Sequence, residues 1–240
     1  MRYATGRLAL QGASLTVHPG ELAVILGANG CGKSTMLRII AGIQKPSAGD
    51  VRVVGHNITQ LSGRTLAEAR MALGMVFQQA HLVKRRSVLS NVLTGTLARH
   101  RTLYTAFGGL PAKEHPHAID CLEQVGLSAF APQRASTLSG GQAQRVAIAR
   151  ALAQRPKVLL ADEPVASLDP EAAEEIMRLL RRLASQQGIG VLCVLHQPDL
   201  ARRYADKLLG LRQGVVTFAD APAAISDTAI NSLYEGFSPS

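Results

Sequence analysis

Three short runs of consecutive apolar residues stand out in the chain, at Leu22 to Leu26, Val158 to Ala161 and Val191 to Leu195. Runs of this length without polar alternation are typical of strands that are buried on both faces, as in a parallel sheet. Between these runs, apolar residues recur at helical spacing. The pattern predicts an α/β fold with a parallel central sheet.

Two further apolar stretches, each close to a glycine, follow a different pattern. We predict that Val51 to Val54 and Val215 to Phe218 are edge or hairpin strands of a smaller antiparallel part. Between about Ser87 and Gln154 the strand signal disappears, and helical patterns follow one another between prolines and glycines. This change predicts an α-helical lobe inserted into the α/β core.

The length of 240 residues suits one large α/β domain. We expect a single domain over residues 1–240, in which about 1–86 and 155–240 form the core and about 87–154 form the helical lobe. The sequence contains no internal repeat and no low-complexity segment that would suggest another organisation.

The chain is basic, with a formal net charge of +9 and a sequence pI near 10.0. This balance is compatible with nucleic acid, an anionic membrane surface or anionic ligands as partners. The tight basic run is limited to Lys84, Arg85 and Arg86, and no aromatic residues alternate with basic ones as base stacking would require. We therefore expect no nucleic-acid partner.

Cys31, Cys121 and Cys193 are widely spaced and odd in number, which argues against a disulfide framework and favours a reducing compartment. The chain opens without a signal-peptide pattern, and no apolar stretch approaches the ~20 residues of a membrane-spanning helix. We expect a cytosolic protein whose membrane role would depend on a partner.

The first apolar run leads directly into GANGCGKST, from Gly27 to Thr35. This sequence fits the pattern G-x-x-x-x-G-K-[ST], in which glycines let backbone N–H groups approach phosphate oxygens. Lys33 is expected to reach the β- and γ-phosphates of ATP, and Ser34 to offer its hydroxyl to Mg²⁺. The predicted ATP-binding residues of this loop are Gly27, Ala28, Asn29, Gly30, Cys31, Gly32, Lys33, Ser34 and Thr35.

Cys31 has two interpretations. A thiol at a helix N-terminus is expected to have a lowered pKa, which would make Cys31 reactive. Alternatively, Cys31 is a small filler at a variable position of the loop.

VLLADEP, from Val158 to Pro164, places two carboxylates at the end of an apolar strand, where open parallel sheets bind their ligands. Successive side chains at a strand end point to different sides. We predict that Asp162 holds Mg²⁺, partly through water, and that Glu163 is the general base for an attacking water.

LSGGQ, from Leu138 to Gln142, stands at the start of another helical pattern. Its residues Ser139, Gly140, Gly141 and Gln142 predict a second helix N-terminus with free amides, which is a second candidate phosphate site. Taken alone, the same residues are equally compatible with an ordinary helix cap and a flexible loop.

The order and content of these three motifs resemble those of the ATP-binding cassette family, and the resemblance covers nearly the whole chain. It implies a P-loop ATPase fold with ATP and Mg²⁺ as cofactors. In that family the signature LSGGQ of one protomer closes over the nucleotide bound by the P-loop of the other. The resemblance therefore implies a dimer, in which Ser139 to Gln142 act in trans.

The family's other motifs assign further residues of this chain. Gln78 in MVFQQ matches the Q-loop glutamine, which contacts Mg²⁺ and the attacking water and senses the membrane partner, whereas Gln79 is the weaker match. Asp169 in ASLDP matches the loop that crosses the dimer interface, and His196 matches the switch histidine that contacts the γ-phosphate. The implied catalytic residues are Glu163, His196 and Gln78, and the implied Mg²⁺ ligands are Ser34, Gln78 and Asp162.

Tyr3 lies at the distance from the phosphate loop where the family has an aromatic residue that stacks on adenine. The resemblance therefore implies an ATP contact for Tyr3. The family usually has a strand before this residue, whereas here two residues precede it.

Three stretches resemble the ATP-binding subunits of phosphonate importers more closely: FQQAHLVKRRSVLSNVLTG from Phe77, LLADEPVASLDP from Leu159 and HQPDLARRYADKLLGLRQGVV from His196. The tail SLYEG, from Ser232, resembles the end of those subunits. This resemblance implies an ATPase that powers import of phosphonate or a related phosphorus oxyanion. Its implied partners are transmembrane permease subunits and, indirectly, an external solute-binding protein, at the cytoplasmic face of the bacterial inner membrane.

A cytoplasmic helix of the permease is expected to dock on the stretch from Phe77 to Gly95. Leu82, Val83, Val88 and Leu89 would offer apolar contact there, although burial inside the helical lobe explains each of them equally well. Two other functions stay open. The chain could power transport of another substrate, such as a different oxyanion, an amino acid or a released lipoprotein, or it could be a soluble cassette protein acting on nucleic acid.

Overall fold

The computed structural model describes residues 1, 8–100, 105 and 109–235. Its strands are β1 (Leu22–Leu26), β2 (Arg52–Val53), β3 (His56–Asn57), β4 (Leu73–Val76), β5 (Val158–Asp162), β6 (Gly190–Val194), β7 (Lys207–Arg212) and β8 (Val215–Asp220). Its α-helices are α1 (Lys33–Ile40), α2 (Gly63–Ala69), α3 (Val88–Leu93), α4 (His115–Gln124), α5 (Gly140–Leu152), α6 (Pro170–Gln187), α7 (Pro198–Tyr204) and α8 (Asp227–Asn231). Tyr3, the candidate adenine-stacking residue, lies outside the described residues.

A six-stranded sheet in the order β4-β5-β6-β1-β7-β8 forms the centre of the described structure. All neighbouring strands pair in parallel except β7 and β8. The carboxyl ends of β1, β4, β5 and β6 therefore meet at one edge of the sheet, where ligands bind in folds of this kind. The predicted parallel α/β fold is confirmed.

Strand β1 shows why the sheet is buried on both faces. All five of its side chains are inaccessible to solvent, and they alternate between the two apolar cores. Leu22, Val24 and Leu26 pack on the side of α6 and the helical lobe, whereas Ala23 and Ile25 pack on the side of α1. An uninterrupted apolar run is the sequence that this double burial requires.

The structure corrects the prediction for Val215 to Phe218. These residues lie in β8, which is the antiparallel edge strand of the main sheet, and the separate small sheet contains β2 and β3. The chain reverses between β7 and β8 through Gln213 and Gly214, whose φ angles of 48° and 80° are the left-handed values of a tight hairpin turn. The turn therefore returns β8 directly onto β7.

Helices and 3-10 turns occupy the described residues between Ser87 and Gln154, with one isolated β-bridge between Ser87 and Arg134. Helices α3, α4 and α5 pack together there through a shared apolar core. This agrees with the helical pattern of the sequence. In the ranges 8–100 and 109–235, no helix combines the length and the apolar character needed to cross a bilayer.

Candidate functional site

The phosphate loop connects the end of β1 to the start of α1 and is closely packed from behind. A Cβ atom on Gly27 would lie 2.2 Å from the carbonyl oxygen of Leu211 and 2.8 Å from Cys31 Sγ. A Cβ atom on Gly32 would lie 2.4 Å from the carbonyl oxygen of Ala9. Both glycines also have positive φ angles, of 155° and 114°. The backbone path of the loop therefore requires glycine at these two positions.

Lys33 lies over this loop with only 5% of its surface exposed. Its Nζ donates hydrogen bonds to the carbonyl oxygens of Gly27, at 2.8 Å, and Ala28, at 3.0 Å. Burial lowers the pKa of Lys33, while Cys31, Glu163 and Asp162 oppose that change. A cation with little access to water is thus held where the phosphates of a nucleotide would lie.

Ser34 and Asp162 meet beside Lys33, as the spacing of the motifs predicts. Asp162 is the last residue of β5, and its Oδ1 accepts a hydrogen bond from Ser34 Oγ at 3.2 Å. Burial raises the pKa of Asp162, and the bond from Ser34 partly opposes the rise. A carboxylate and a hydroxyl that face one space are oxygen ligands of the kind that Mg²⁺ prefers.

The donor set around Ser34 and Asp162 fits Mg²⁺ bound together with phosphate. Among the described residues, no cluster of three His, Cys, Asp or Glu side chains is placed to hold a metal ion. Magnesium ordinarily uses one or two protein ligands and completes its shell with phosphate oxygens and water. The pair therefore has the composition of a nucleotide-dependent Mg²⁺ site.

Glu163 and His196 form the second polar pair at this edge of the sheet. Glu163 Oε1 contacts His196 Nε2, and both side chains are partly shielded from solvent. Glu163 has a φ angle of 51°, a left-handed conformation that is uncommon outside glycine and that often occurs at functional sites. Asp162 thus faces Ser34 while its neighbour Glu163 faces His196, which is the divergence expected at a strand end.

Gln78 lies two residues beyond the end of β4, which is the neighbour of β5 in the sheet, and its side chain is exposed. Two side chains of α5 hold the backbone on either side of it. Gln144 Nε2 donates to the carbonyl oxygen of Phe77 at 2.9 Å, and Arg150 donates to those of Ala80 and His81 at 2.7 and 2.9 Å.

Sequence reasoning missed both Gln144 and Arg150. The sequence did contain a signal, since Gln144 is a polar residue on the face of α5 that carries the apolar periodicity. In the structure its side chain is buried, at 3% exposure. A buried side chain of this kind needs hydrogen-bond partners. A search for those partners leads to the segment around Gln78.

The LSGGQ residues form the start of α5. Gln142 N donates to Ser139 Oγ at 3.2 Å, and Ser139 N donates to Gln142 Oε1 at 2.9 Å, which is a capping box. Cβ atoms on Gly140 and Gly141 would contact Leu168 and Ala172 at 3.3 and 3.1 Å. The signature therefore packs beside the start of α6.

Asp169 is the N-cap residue of α6, and its Oδ1 accepts a hydrogen bond from Ala172 N at 2.9 Å. Asp169 and the signature are therefore neighbours on one side of the molecule. These hydrogen bonds of Ser139, Gln142 and Asp169 lie within the first turns of their own helices. Their roles in a dimer stay predictions.

Of the two interpretations of Cys31, the structure favours the small filler over the reactive thiol. Cys31 is 2% exposed, and burial raises the pKa of its thiol, while Lys33 opposes part of that rise. Its sulfur packs against Gly27 from inside the loop. The filler interpretation therefore describes Cys31 better. Asn29 and Gly30 are exposed at the tip of the loop, and Ala28 is buried.

The predicted docking stretch divides into buried and exposed positions. Val88 is fully buried, and Leu82 and Leu89 pack on the apolar core of the helical lobe, so these three are lobe residues. Val83 is 50% exposed, and Phe77 and Ile43 are also exposed. A groove of about 440 Å³ runs between Ile43, Phe77, Thr94 and Arg150, among other residues.

Fold and site together define a class of protein. The first strand of the parallel sheet leads into a glycine-rich phosphate loop with a buried lysine. A Ser–Asp pair and a Glu–His pair lie at the same edge of the sheet. This combination is typical of P-loop nucleoside triphosphatases.

Comparison with known proteins gives the family. Residues 10–166 match the model of the ABC transporter family. Over 214 residues, covering 89% of this chain and 85% of the relative, the chain is 51% identical to a phosphonates import ATP-binding protein PhnC of Frankia casuarinae. It is 46% identical to a phosphonates import ATP-binding protein PhnC 3 of Nostoc sp., which covers 97% of this chain and 88% of the relative.

A solved structure is also similar. The dimeric post-hydrolysis state of the ATP-binding cassette MJ0796, bound to ADP and Pi, has a TM-score of 0.77 and 34% identity, and covers 90% of this chain and 92% of that one. The chain belongs to the ABC transporter family, as an ATP-binding subunit whose ATPase activity is coupled to transport.

Proposed function

We propose that this chain is the ATP-hydrolysing subunit of a membrane importer for phosphonates or related phosphorus oxyanions. The observation that carries the proposal is the combination of a complete phosphate-binding edge with similarity, over nearly the whole chain, to proteins named phosphonates import ATP-binding proteins.

In this proposal the phosphate loop binds the phosphates of ATP through its backbone amides and Lys33. The Lys33 ammonium exchanges its bonds with the carbonyls of Gly27 and Ala28 for bonds with the β- and γ-phosphate oxygens. Ser34 and Asp162, with Gln78 from the neighbouring strand end, hold Mg²⁺. The ion would supply charge neutralisation to the transferred phosphoryl group.

Glu163 accepts a proton from the attacking water, and His196 orients the carboxylate and contacts the γ-phosphate. The contact between Glu163 Oε1 and His196 Nε2 supports this pairing, because a base acts best when a neighbour fixes its direction. Phosphoryl transfer depends mainly on positioning and charge stabilisation. In this proposal the buried Lys33 and the Asp162 carboxylate contribute to both.

The second half of the site comes from a second copy of the chain in this proposal. Ser139, Gly140, Gly141 and Gln142 approach the γ-phosphate from the opposite protomer, and Asp169 lies at the interface between the two. The dimeric state of a similar cassette, 34% identical, supports this arrangement. Two nucleotides are then enclosed between two chains.

The proposed membrane partner is a permease whose cytoplasmic helix docks in the groove between Ile43, Phe77 and Arg150. Val83, an exposed apolar residue of the stretch from Phe77 to Gly95, is a further candidate contact. Docking at Phe77 places the partner one residue from Gln78. Because no substrate-binding residue is assigned to this chain, the transported compound would be selected by the permease and an external binding protein. The proposed location is the cytoplasmic face of the cell membrane.

The test is reconstitution of this chain with the membrane protein encoded beside its gene, followed by ATPase measurement with and without a phosphonate-loaded binding protein. Stimulation by the loaded protein is the expected result. Stimulation by another solute alone would reject the phosphonate assignment and retain the transport ATPase. A complex containing Glu163→Gln is the matched control, since it should assemble equally well and show no stimulated hydrolysis.

A further inference from the structure

The positive charge of the chain is concentrated in two stretches, residues 69–113 and 124–161. They contain 12 of the 26 Lys and Arg residues and none of the 17 Asp and Glu residues. Acidic residues are therefore in slight excess in the rest of the chain. The net charge of +9 comes from these two stretches and not from the surface as a whole. Phe77 and Arg150, which line the groove, belong to the same stretches.

Backbone hydrogen bonds join the two stretches where their exposed cations lie. Ala135 N donates to the carbonyl oxygen of Arg86 at 3.0 Å, and Ser136 N donates to that of Lys84 at 3.1 Å. Ser87 pairs with Arg134 in the isolated β-bridge between these bonds. The four exposed cations brought together here, which we call the basic patch, are Lys84, Arg85, Arg86 and Arg134.

The basic patch has no counter-charge of its own. In the part of the chain that the structure describes, none of its four side chains takes part in an ion pair or a hydrogen bond. Like charges that lie close together repel one another. An acidic surface that approached the patch would therefore be attracted by all four cations at once.

A buried amide holds the loop that carries three of these cations. Asn91 is 1% exposed, and its Oδ1 accepts a hydrogen bond from Val83 N at 2.7 Å. Its Nδ2 donates to the carbonyl oxygens of Val83 and Ser87, at 3.2 and 2.9 Å. The loop is thus fixed at both ends, and the exposed Val83 stands directly before its first cation.

Two kinds of acidic surface would be available to an ATPase subunit at the membrane. Anionic lipid headgroups attract any basic segment, including a flexible one. Here the cations are held on a fixed loop, beside an exposed apolar side chain of the predicted docking stretch. Fixed spacing and an apolar neighbour suit a protein surface of defined shape better than a lipid surface.

We propose that the basic patch is a docking site for an acidic cytoplasmic segment of the permease, beside the helix that occupies the groove. Cytoplasmic loops of membrane proteins ordinarily have an excess of Lys and Arg. Such loops would be repelled by the patch, so the patch would select a permease by charge as well as by shape. This inference rests on the proposed transport function, because it requires a permease.

The test compares the wild type with the double variant Arg86→Glu/Arg134→Glu. Arg52→Glu/Arg178→Glu is the matched control, since it changes the net charge equally at exposed positions outside the two stretches. For each protein we would measure the Kd for the detergent-solubilised permease encoded beside the gene, at low and at high salt. The melting temperature and the ATPase rate of the isolated chain complete the measurements.

At low salt, the Kd of Arg86→Glu/Arg134→Glu should rise by about tenfold or more, because attraction is replaced by repulsion. The difference should shrink at high salt, since the screening length falls from about 10 Å at 0.1 M to about 3 Å at 1 M. The control should stay within about twofold of the wild type, and so should Arg86→Lys/Arg134→Lys, which retains the charge. The melting temperature and the ATPase rate of the isolated chain should be unchanged, because the patch side chains have no partners to lose.

Three results would overturn the proposal. Equal Kd values for Arg86→Glu/Arg134→Glu and its control would show an effect of net charge alone. A difference that persisted undiminished at high salt would show lost shape complementarity instead of lost attraction. Weaker binding to vesicles of phosphatidylglycerol and phosphatidylethanolamine, with an unchanged Kd for the permease, would assign the patch to lipid. A wild-type chain that binds no permease would instead reject the proposed transport function, so the two failures are distinguishable.

Discussion

The phosphate loop and the signature loop both lead into the first turn of a helix, but their helix starts differ. Gly32, the N-cap residue of α1, provides no side-chain cap, and the nearby Lys33 and Ser34 bond to groups outside their own helix. Ser139, the N-cap residue of α5, forms a reciprocal capping box with Gln142. The start of α1 therefore bonds to groups of the loop and the sheet edge, whereas the start of α5 bonds to its own capping residues.

This difference separates the residues that one chain brings together from those that are proposed to act across a dimer. Asp162 from β5 meets Ser34 from α1, and Glu163 meets His196 from the end of β6, so folding of one chain assembles this half. The signature and Asp169 make their local bonds without any of these groups. They are suited to a ligand that arrives on another chain, which agrees with the proposed dimer.

The largest expected effect comes from Glu163→Gln, which tests the half assembled within one chain. Hydrolysis should fall by about 10²- to 10⁴-fold, because a positioned base is lost, while ATP binding persists. Measurement of phosphate release, with size-exclusion chromatography in ATP, should show an inactive protein that accumulates as a dimer. Undiminished phosphate release would remove Glu163 from the role of base.

Gly27→Ala should have the next largest effect, because the added methyl group would clash with the close packing behind the phosphate loop. Its Cβ would lie 2.2 Å from the Leu211 carbonyl oxygen, so we expect about 2 kcal/mol or more of lost stability and loss of ATP binding. Gly188→Ala is the control, since that glycine also has a positive φ but open space around it. Equal melting temperatures for the two variants would contradict the packing argument.

Ser139→Ala separates capping from catalysis in the signature. Loss of the N-cap should cost about 1 kcal/mol of stability, and hydrolysis should fall by about tenfold or more if the hydroxyl also contacts phosphate in trans. Ser226→Ala removes a comparable cap from α8 and should lower stability without affecting hydrolysis. Equal ATPase rates in the two variants would reduce the signature serine to a helix cap.

The smallest effect is expected outside the nucleotide site, in the proposed docking stretch from Phe77 to Gly95. Val83→Asp places a charge on an exposed apolar position and should weaken assembly with the permease by about tenfold, with the ATPase rate of the isolated chain unchanged. Val54→Asp, at a similarly exposed valine of the small sheet region, should assemble normally. Pull-down of the permease by each variant measures this directly.

Much of the phosphate-binding half could be predicted from sequence, because its geometry follows from local rules. A buried strand, a glycine-rich turn and a helix place Lys33 and Ser34, and the carboxyl end of another parallel strand of the same sheet places Asp162. The divergence of Asp162 and Glu163 follows from their succession at a strand end. These relations need no knowledge of long-range packing.

The sequence left other features open or misassigned, and the structure decides them through burial, packing and one turn. The sign of the Cys31 pKa shift is set by burial against the back of the loop, which outweighs the helix N-terminus. The exposure of Val83 and the burial of Val88 are decided by how α3 sits on the lobe. The pairing of β8 with β7 is set by the turn at Gln213 and Gly214.

The bonds from α5 to the segment after β4 have a mechanical consequence. The first turn of α5 carries the signature, and further along the same helix Gln144 and Arg150 hold the carbonyl groups of Phe77, Ala80 and His81. Movement of the Phe77 segment would therefore be expected to move α5, and Ser139 at its start, along with it. In the proposed dimer, α5 would connect the docking groove at one end to the signature that approaches the partner's nucleotide at the other.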